Sequence, residues 1–73
     1  MLTVEEYMRL PYRPVLIPDI DEGGYVVSFP ELKGCLSSGD TPEAAIKKAE
    51  EAKREWFTAA IKENVVIPIP NIG

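Results

Sequence analysis

The stretch Gly23-Gly24-Tyr25-Val26-Val27-Ser28-Phe29-Pro30-Glu31-Leu32-Lys33-Gly34-Cys35-Leu36-Ser37-Ser38-Gly39-Asp40-Thr41-Pro42-Glu43 decides how the rest of the chain is arranged. Its first part alternates, with Tyr25, Val27 and Phe29 on one face, which is the period of a half-buried strand. Before that strand, Asp19-Ile20-Asp21-Glu22-Gly23-Gly24 forms a turn whose two glycines are able to take positive φ, and this predicts a hairpin. Pro30 to Gly34 makes a second turn, so Cys35 to Gly39 reads as a short third strand or extended segment. Asp40-Thr41-Pro42-Glu43 then starts a helix, either with Thr41 as N-cap and Pro42 at the first helical position, or with Asp40 as N-cap and Glu43 three residues on.

Working outward toward the N-terminus, Val15-Leu16-Ile17 lies between Pro14 and Pro18 and predicts the first strand of the hairpin. Further upstream, Thr3-Val4-Glu5-Glu6 fits a capping box and predicts a short helix that ends before Pro11. Toward the C-terminus the long helix runs to about Glu63. Ala45, Ala49, Ala52, Trp56, Ala59 and Ala60 recur at helical spacing as the stripe that packs on the sheet, with Trp56 supplying the bulk. Lys47, Glu51, Arg54 and Thr58 are expected to face water, with Glu43–Lys47 and Glu50–Arg54 as supporting pairs. Asn64 suits the left-handed position past the helix end, and Val65 to Ile69 is expected to return as a final edge strand interrupted by Pro68. The fold class is therefore α+β: an antiparallel meander, one long helix packed on it and a last strand (β-β-β-α-β). A single domain is expected over residues 1–73, with 1–11 a helical extension and 12–70 the core.

A 73-residue chain has room for one small core and buries only about 60% of its unfolded surface. Twelve acidic residues against eight basic ones give a net charge of −4 and a pI near 4.7, which disfavours direct binding of nucleic acid and suits a basic partner. The chain contains no histidine, so neither a histidine-based triad nor a Cys/His zinc site is available, and no enzyme activity, cofactor or metal is expected. The acidic turn lacks the ligand spacing of a calcium loop. Cys35, the single cysteine, reads as a small buried residue in a reducing cytoplasm, and no apolar run approaches membrane-spanning length.

The order Gly23-Gly24-Tyr25 to Leu32, Gly34-Cys35, Ser38-Gly39-Asp40-Thr41 and Ile67-Pro68-Ile69-Pro70 resembles the HicB antitoxin family from about Tyr12 to Pro70. Lys33 replaces a usual proline, and Ala44 stands where a second glutamate is usual. The resemblance implies a degraded ribonuclease-H-like fold, and Arg13 to Ile17 lacks the acidic residue with which a ribonuclease H holds magnesium. It also implies a partner, the small basic RNA-cleaving toxin HicA, which the antitoxin neutralises by covering its active surface. An additional DNA-binding domain of the kind many members carry is not expected within these 73 residues. The alternative is an orphan HicB-like oligomeric scaffold or adaptor that binds another protein.

Two surfaces are expected to carry these interactions. Asp19, Asp21, Glu22 and Glu31, in the turns at the two ends of the second strand, are the candidates for steering a basic partner. Ile46, Phe57, Ile61, Val65 and Ile67 are the candidates for a homodimer or higher oligomer: the first three lie on a helix flank left apolar beside the inner stripe, and Val65 and Ile67 belong to the closing segment, where Val66, Ile69 and Ile72 also need cover. The alternative for that flank is coverage from within the chain, by Val4, Tyr7, Met8 and Leu10 of the N-terminal helix.

Overall fold

Thr3 opens the first helix, α1 (Val4–Met8), through the expected capping box: its hydroxyl accepts from the Glu6 amide at 3.2 Å while the Glu6 carboxylate accepts from the Thr3 amide at 3.0 Å. The computed structural model describes residues 2–70, so Ile72 lies outside the described residues. Arg54 of the long helix forks onto the Glu5 carboxylate and ties α1 down; it does not pair with Glu50 as its spacing had suggested. Hydrogen bonding and then the charge of Arg54 hold Glu5 below the ordinary carboxylate range, and the Thr3 amide followed by its hydroxyl does the same for Glu6. A depressed folded pKa stabilises above the unfolded value and is lost as pH falls through the folded one. Acidification is therefore expected to fray α1 before the sheet, seen as faster amide exchange at Glu6 and Tyr7 while Val27 stays protected. Simultaneous loss of both would refute this.

The meander forms as expected. Strands β1 (Val15–Pro18), β2 (Tyr25–Ser28) and β3 (Leu36–Gly39) make an antiparallel sheet in the order β1-β2-β3, with Leu16 opposite Val27 and Val27 opposite Ser37. Gly23 and Gly24 take φ of +79° and +80° in the hairpin turn, where the Asp19 amide donates to the Gly24 carbonyl at 3.0 Å. The inward face of β2, with Val27 and then Phe29, is fully buried against the long helix.

That helix, α2 (Pro42–Lys62), takes Thr41 as its N-cap, accepting from the Ala44 amide at 3.1 Å, with Pro42 at its start; Asp40 stays outside the cap. At the far end Asn64 adopts the left-handed conformation, φ 56°. The inward stripe is Ala45, Ala49, Lys53, Phe57 and Ala60, a rotation from the alanine-and-tryptophan stripe read in the sequence. Lys53 is the reason. Its aliphatic stem lies in the core, its ammonium sits 4.8 Å from the Phe29 ring centre, and Glu50 pairs with it at 3.1 Å. Trp56 is displaced to the flank, half-buried, where its indole N–H donates to the Lys33 carbonyl at 3.0 Å, and Ala59 is exposed.

Phe57 is fully buried and corrects the expectation that it faces outward. Tyr7 of α1 stacks on it at 5.1 Å, Tyr12 lies 5.3 Å away and Trp56 meets it edge-on at 5.8 Å. The intramolecular cover by α1 is the one that forms. The final strand does not: Val65 to Pro70 forms no strand and does not pair with the sheet, since Pro68 and Pro70 remove two amides from one side of it. Side chains hold it instead. Ile67 and Pro70 are buried, the Val65 amide donates to the Ala60 carbonyl, and the Tyr12 hydroxyl donates to the Pro68 carbonyl. The element order is thus α-β-β-β-α.

Candidate partner-binding surface

The hairpin turn gathers charge because its residues are polar and short, and because the turn closes on itself. The Asp19 carboxylate accepts from the Glu22 amide at 3.1 Å, an Asx-type bond that fixes the loop. Antiparallel register then sets Tyr25 opposite Gly39, so the residue after β3, Asp40, arrives beside the turn. A Cβ placed on Gly24 would stand 3.5 Å from the Asp40 Cα. The result is an open cleft of about 570 Å³ lined by Asp19, Glu22, Tyr25, Asp40 and Lys48. Three carboxylates face one ammonium there, so the cleft favours a cationic visitor.

Of the four carboxylates expected to act on a partner, Asp19 and Glu22 line the cleft and Asp21 is exposed on the same turn. Glu31 lies past the other end of β2, half-buried, and is not part of this surface. Asp40 was missed because it belongs to the helix start in the sequence; the register that brings Gly39 to Tyr25 was the signal available. Ile20 was missed as well. It sits between Asp19 and Asp21 at 93% exposure, an apolar side chain flanked by two acidic ones.

The residues expected at an oligomer interface do not form one patch. Phe57 and Ile67 are buried within the chain and Ile61 is packed against the core, while the exposed Ile46 and Val65 stand near opposite ends of α2. Helical spacing puts Ile46, Phe57 and Ile61 on one flank, and strand propensity puts Val65 and Ile67 in a closing strand, because neither takes account of α1 or of the tail folding back. Val66 and Ile69 of the tail stay exposed, and a further set of exposed apolar side chains lies on the sheet face turned away from α2, where Val15, Ile17 and Leu36 are 41%, 50% and 59% exposed.

The remaining chemistry is quiet. Cys35 is buried, and burial pushes its thiol up against a weaker opposing pull from Lys53, which leaves it a poor nucleophile. Among the described residues, no helix is long and apolar enough to cross a membrane.

Comparison with known proteins matches this sequence to a family. The chain is 40% identical over 57 residues to Antitoxin HicB 1 of Photorhabdus laumondii, covering 78% of this chain and 37% of that protein. It is 34% identical over 58 residues to Antitoxin HicB of Escherichia coli K12, covering 80% and 42%. It is also 37% identical over 67 residues to the UPF0150 protein ssr1765 of Synechocystis, covering 92% and 84%. The chain thus spans about two fifths of the length of the two named antitoxins and most of the UPF0150 protein. The model for the HicB-like antitoxin of bacterial toxin-antitoxin systems matches residues 13–72, and the chain therefore belongs to the HicB-like antitoxin family.

Proposed function

We propose that this chain is the protein-binding module of an antitoxin, which neutralises a small basic RNA-cleaving toxin of the HicA type by covering the toxin's active surface. The observation that carries the reading is the hairpin turn, where the exposed Ile20 stands between Asp19 and Asp21 and the same turn contributes Asp19 and Glu22 to a cleft that Asp40 completes. An apolar anchor inside a rim of one charge is how a protein surface recognises a partner of the opposite charge: the rim steers and the anchor holds. Family membership supports the antitoxin part, and the negative net charge supports a basic target.

Two features of the sequence argue against a nuclease of the chain's own. There is no histidine, and β1 carries no carboxylate where a ribonuclease-H-like fold would hold its metal. We read the fold as a degraded relative of that class, kept for its surface.

The test is RNA cleavage by a HicA-type toxin with and without this chain. One equivalent is expected to abolish cleavage, while the chain alone with magnesium leaves RNA intact. Neutralising Asp19, Asp21, Glu22 and Asp40 together is expected to slow association at low salt by about ten-fold or more and to flatten its salt dependence. Glu31→Gln alone is expected to do less, because it lies at the other end of the sheet. Undiminished cleavage at excess chain would overturn the proposal, and an unchanged association rate in the quadruple variant would move the contact away from the hairpin.

A further inference from the structure

The two edges of the sheet are not alike, and the hydrogen-bond parity shows why. The Asp19 amide donates to the Gly24 carbonyl, so in the β1–β2 ladder Asp19, Ile17 and Val15 direct their backbone polar groups toward β2. Pro14, Leu16 and Pro18 therefore occupy the outward positions, and two of these three carry no N–H. Leu16 offers the one amide on that edge, with a proline two positions away on either side, which blunts the strand against pairing.

On the opposite side, the Phe29 amide donates to the Cys35 carbonyl, so Cys35, Ser37 and Gly39 face β2 and the outward positions are Leu36 and Ser38. Both retain an N–H and a C=O. No group among the described residues pairs with that edge, and the Leu36 side chain is 59% exposed beside it. One edge is closed by prolines and the other is left open.

We propose that the β3 edge pairs with the β3 edge of a second copy of this chain, antiparallel about a two-fold axis at Ser37, joining two three-stranded sheets into one. The register is self-complementary. With Ser37 facing its own copy, Leu36 of one chain meets Ser38 of the other, and the two outward positions exchange four backbone hydrogen bonds across the axis. The charges agree with this direction: Lys33 precedes the strand and Asp40 follows it, so antiparallel pairing brings the basic end of each copy to the acidic end of the other. The proline-guarded β1 edge then ends the assembly at two chains. Leu36 of each copy extends the apolar outer face that Val15, Ile17 and Val26 begin, so the joined sheet presents one continuous face.

Ser38→Pro tests the pairing with little cost to the fold, because the Ser38 amide is unused in its own sheet. Sedimentation at micromolar concentration is expected to give a dimer for the unaltered chain and a monomer for Ser38→Pro, with the same far-ultraviolet circular dichroism. Exchange of the Leu36 amide is expected to be about ten-fold or more slower in the dimer than in the variant. Ser37→Cys supplies an independent reading: facing itself across the axis, it is expected to form an interchain disulfide under mild oxidation, which the buried Cys35 of the unaltered chain does not. A monomeric unaltered chain overturns the proposal, as does a dimer that persists in Ser38→Pro or fails to cross-link at residue 37. A monomer whose Leu36 amide becomes protected only when toxin is added assigns the edge to that partner and equally overturns self-pairing.

Discussion

Phe57→Ala is expected to destabilise the chain by about 3–5 kcal/mol, the range for emptying a fully buried aromatic site. A domain of 73 residues has roughly 4–11 kcal/mol in total, at about 0.05–0.15 kcal/mol per residue, so this one change brings it near or past unfolding. The effect is large because Phe57 joins three parts of the fold. It faces the sheet from α2, carries Tyr7 of α1 on its ring, and touches Tyr12, whose hydroxyl holds the C-terminal tail at Pro68. Trp56→Ala is expected to cost less, about 1–3 kcal/mol, since that ring is half-buried and its main specific loss is the hydrogen bond to the Lys33 carbonyl. Urea denaturation of the two variants decides the matter. The alanine-and-tryptophan stripe read in the sequence requires the opposite order, and a larger loss at Trp56 would show that the inward face of α2 has been misassigned.

The reason for that misreading bears on what a sequence of this size discloses. Thr3, Thr41, the Gly23-Gly24 turn and Asn64 were legible because each acts on its own neighbours, within three or four residues, through backbone geometry. The rotation of α2 was not. Its stripe is mostly alanine, which marks a face only weakly, and Lys53 counts as polar although four carbons of its stem are buried and Glu50 meets its charge. The unformed last strand has a similar cause: Val65, Val66, Ile67 and Ile69 carry strand propensity, yet propensity does not supply a partner, and the tail docks through Ile67 and Pro70 instead. At the candidate surface, Asp19, Asp21 and Glu22 were legible as a contiguous acidic turn. Asp40 needed the β2–β3 register, and the open β3 edge needed the parity of the hydrogen bonds, which composition and periodicity do not carry.

Gly39→Ala is the second large effect expected, and it links the fold to the surface. A Cβ at this position would stand 2.6 Å from the Ala45 nitrogen, 2.9 Å from the Ala44 carbonyl carbon and 3.0 Å from the Ala45 Cα, all backbone atoms of the first turns of α2. Nothing there is a flexible side-chain end, so β3 and α2 must separate. Overpacking of this kind costs about 1–3 kcal/mol and occasionally more. The crowding continues one layer further, since a Cβ on Gly24 would lie 2.7 Å from the Gly39 carbonyl oxygen. Gly23→Ala isolates the other kind of cost: unlike Gly39, Gly23 has a left-handed backbone, φ +79°, but nothing within 4 Å, so it carries only the conformational penalty of about 1–2 kcal/mol. Gly39→Ala is expected to exceed it, and the folded fraction is expected to associate more slowly with a basic partner, because Asp40 and the Thr41 cap move with the displaced helix start and the cleft loses one carboxylate. A Gly39→Ala protein no less stable than Gly23→Ala would show that β3 and α2 do not meet as closely as the structure has them. Full stability loss with an unchanged association rate would instead separate Asp40 from the partner-binding surface.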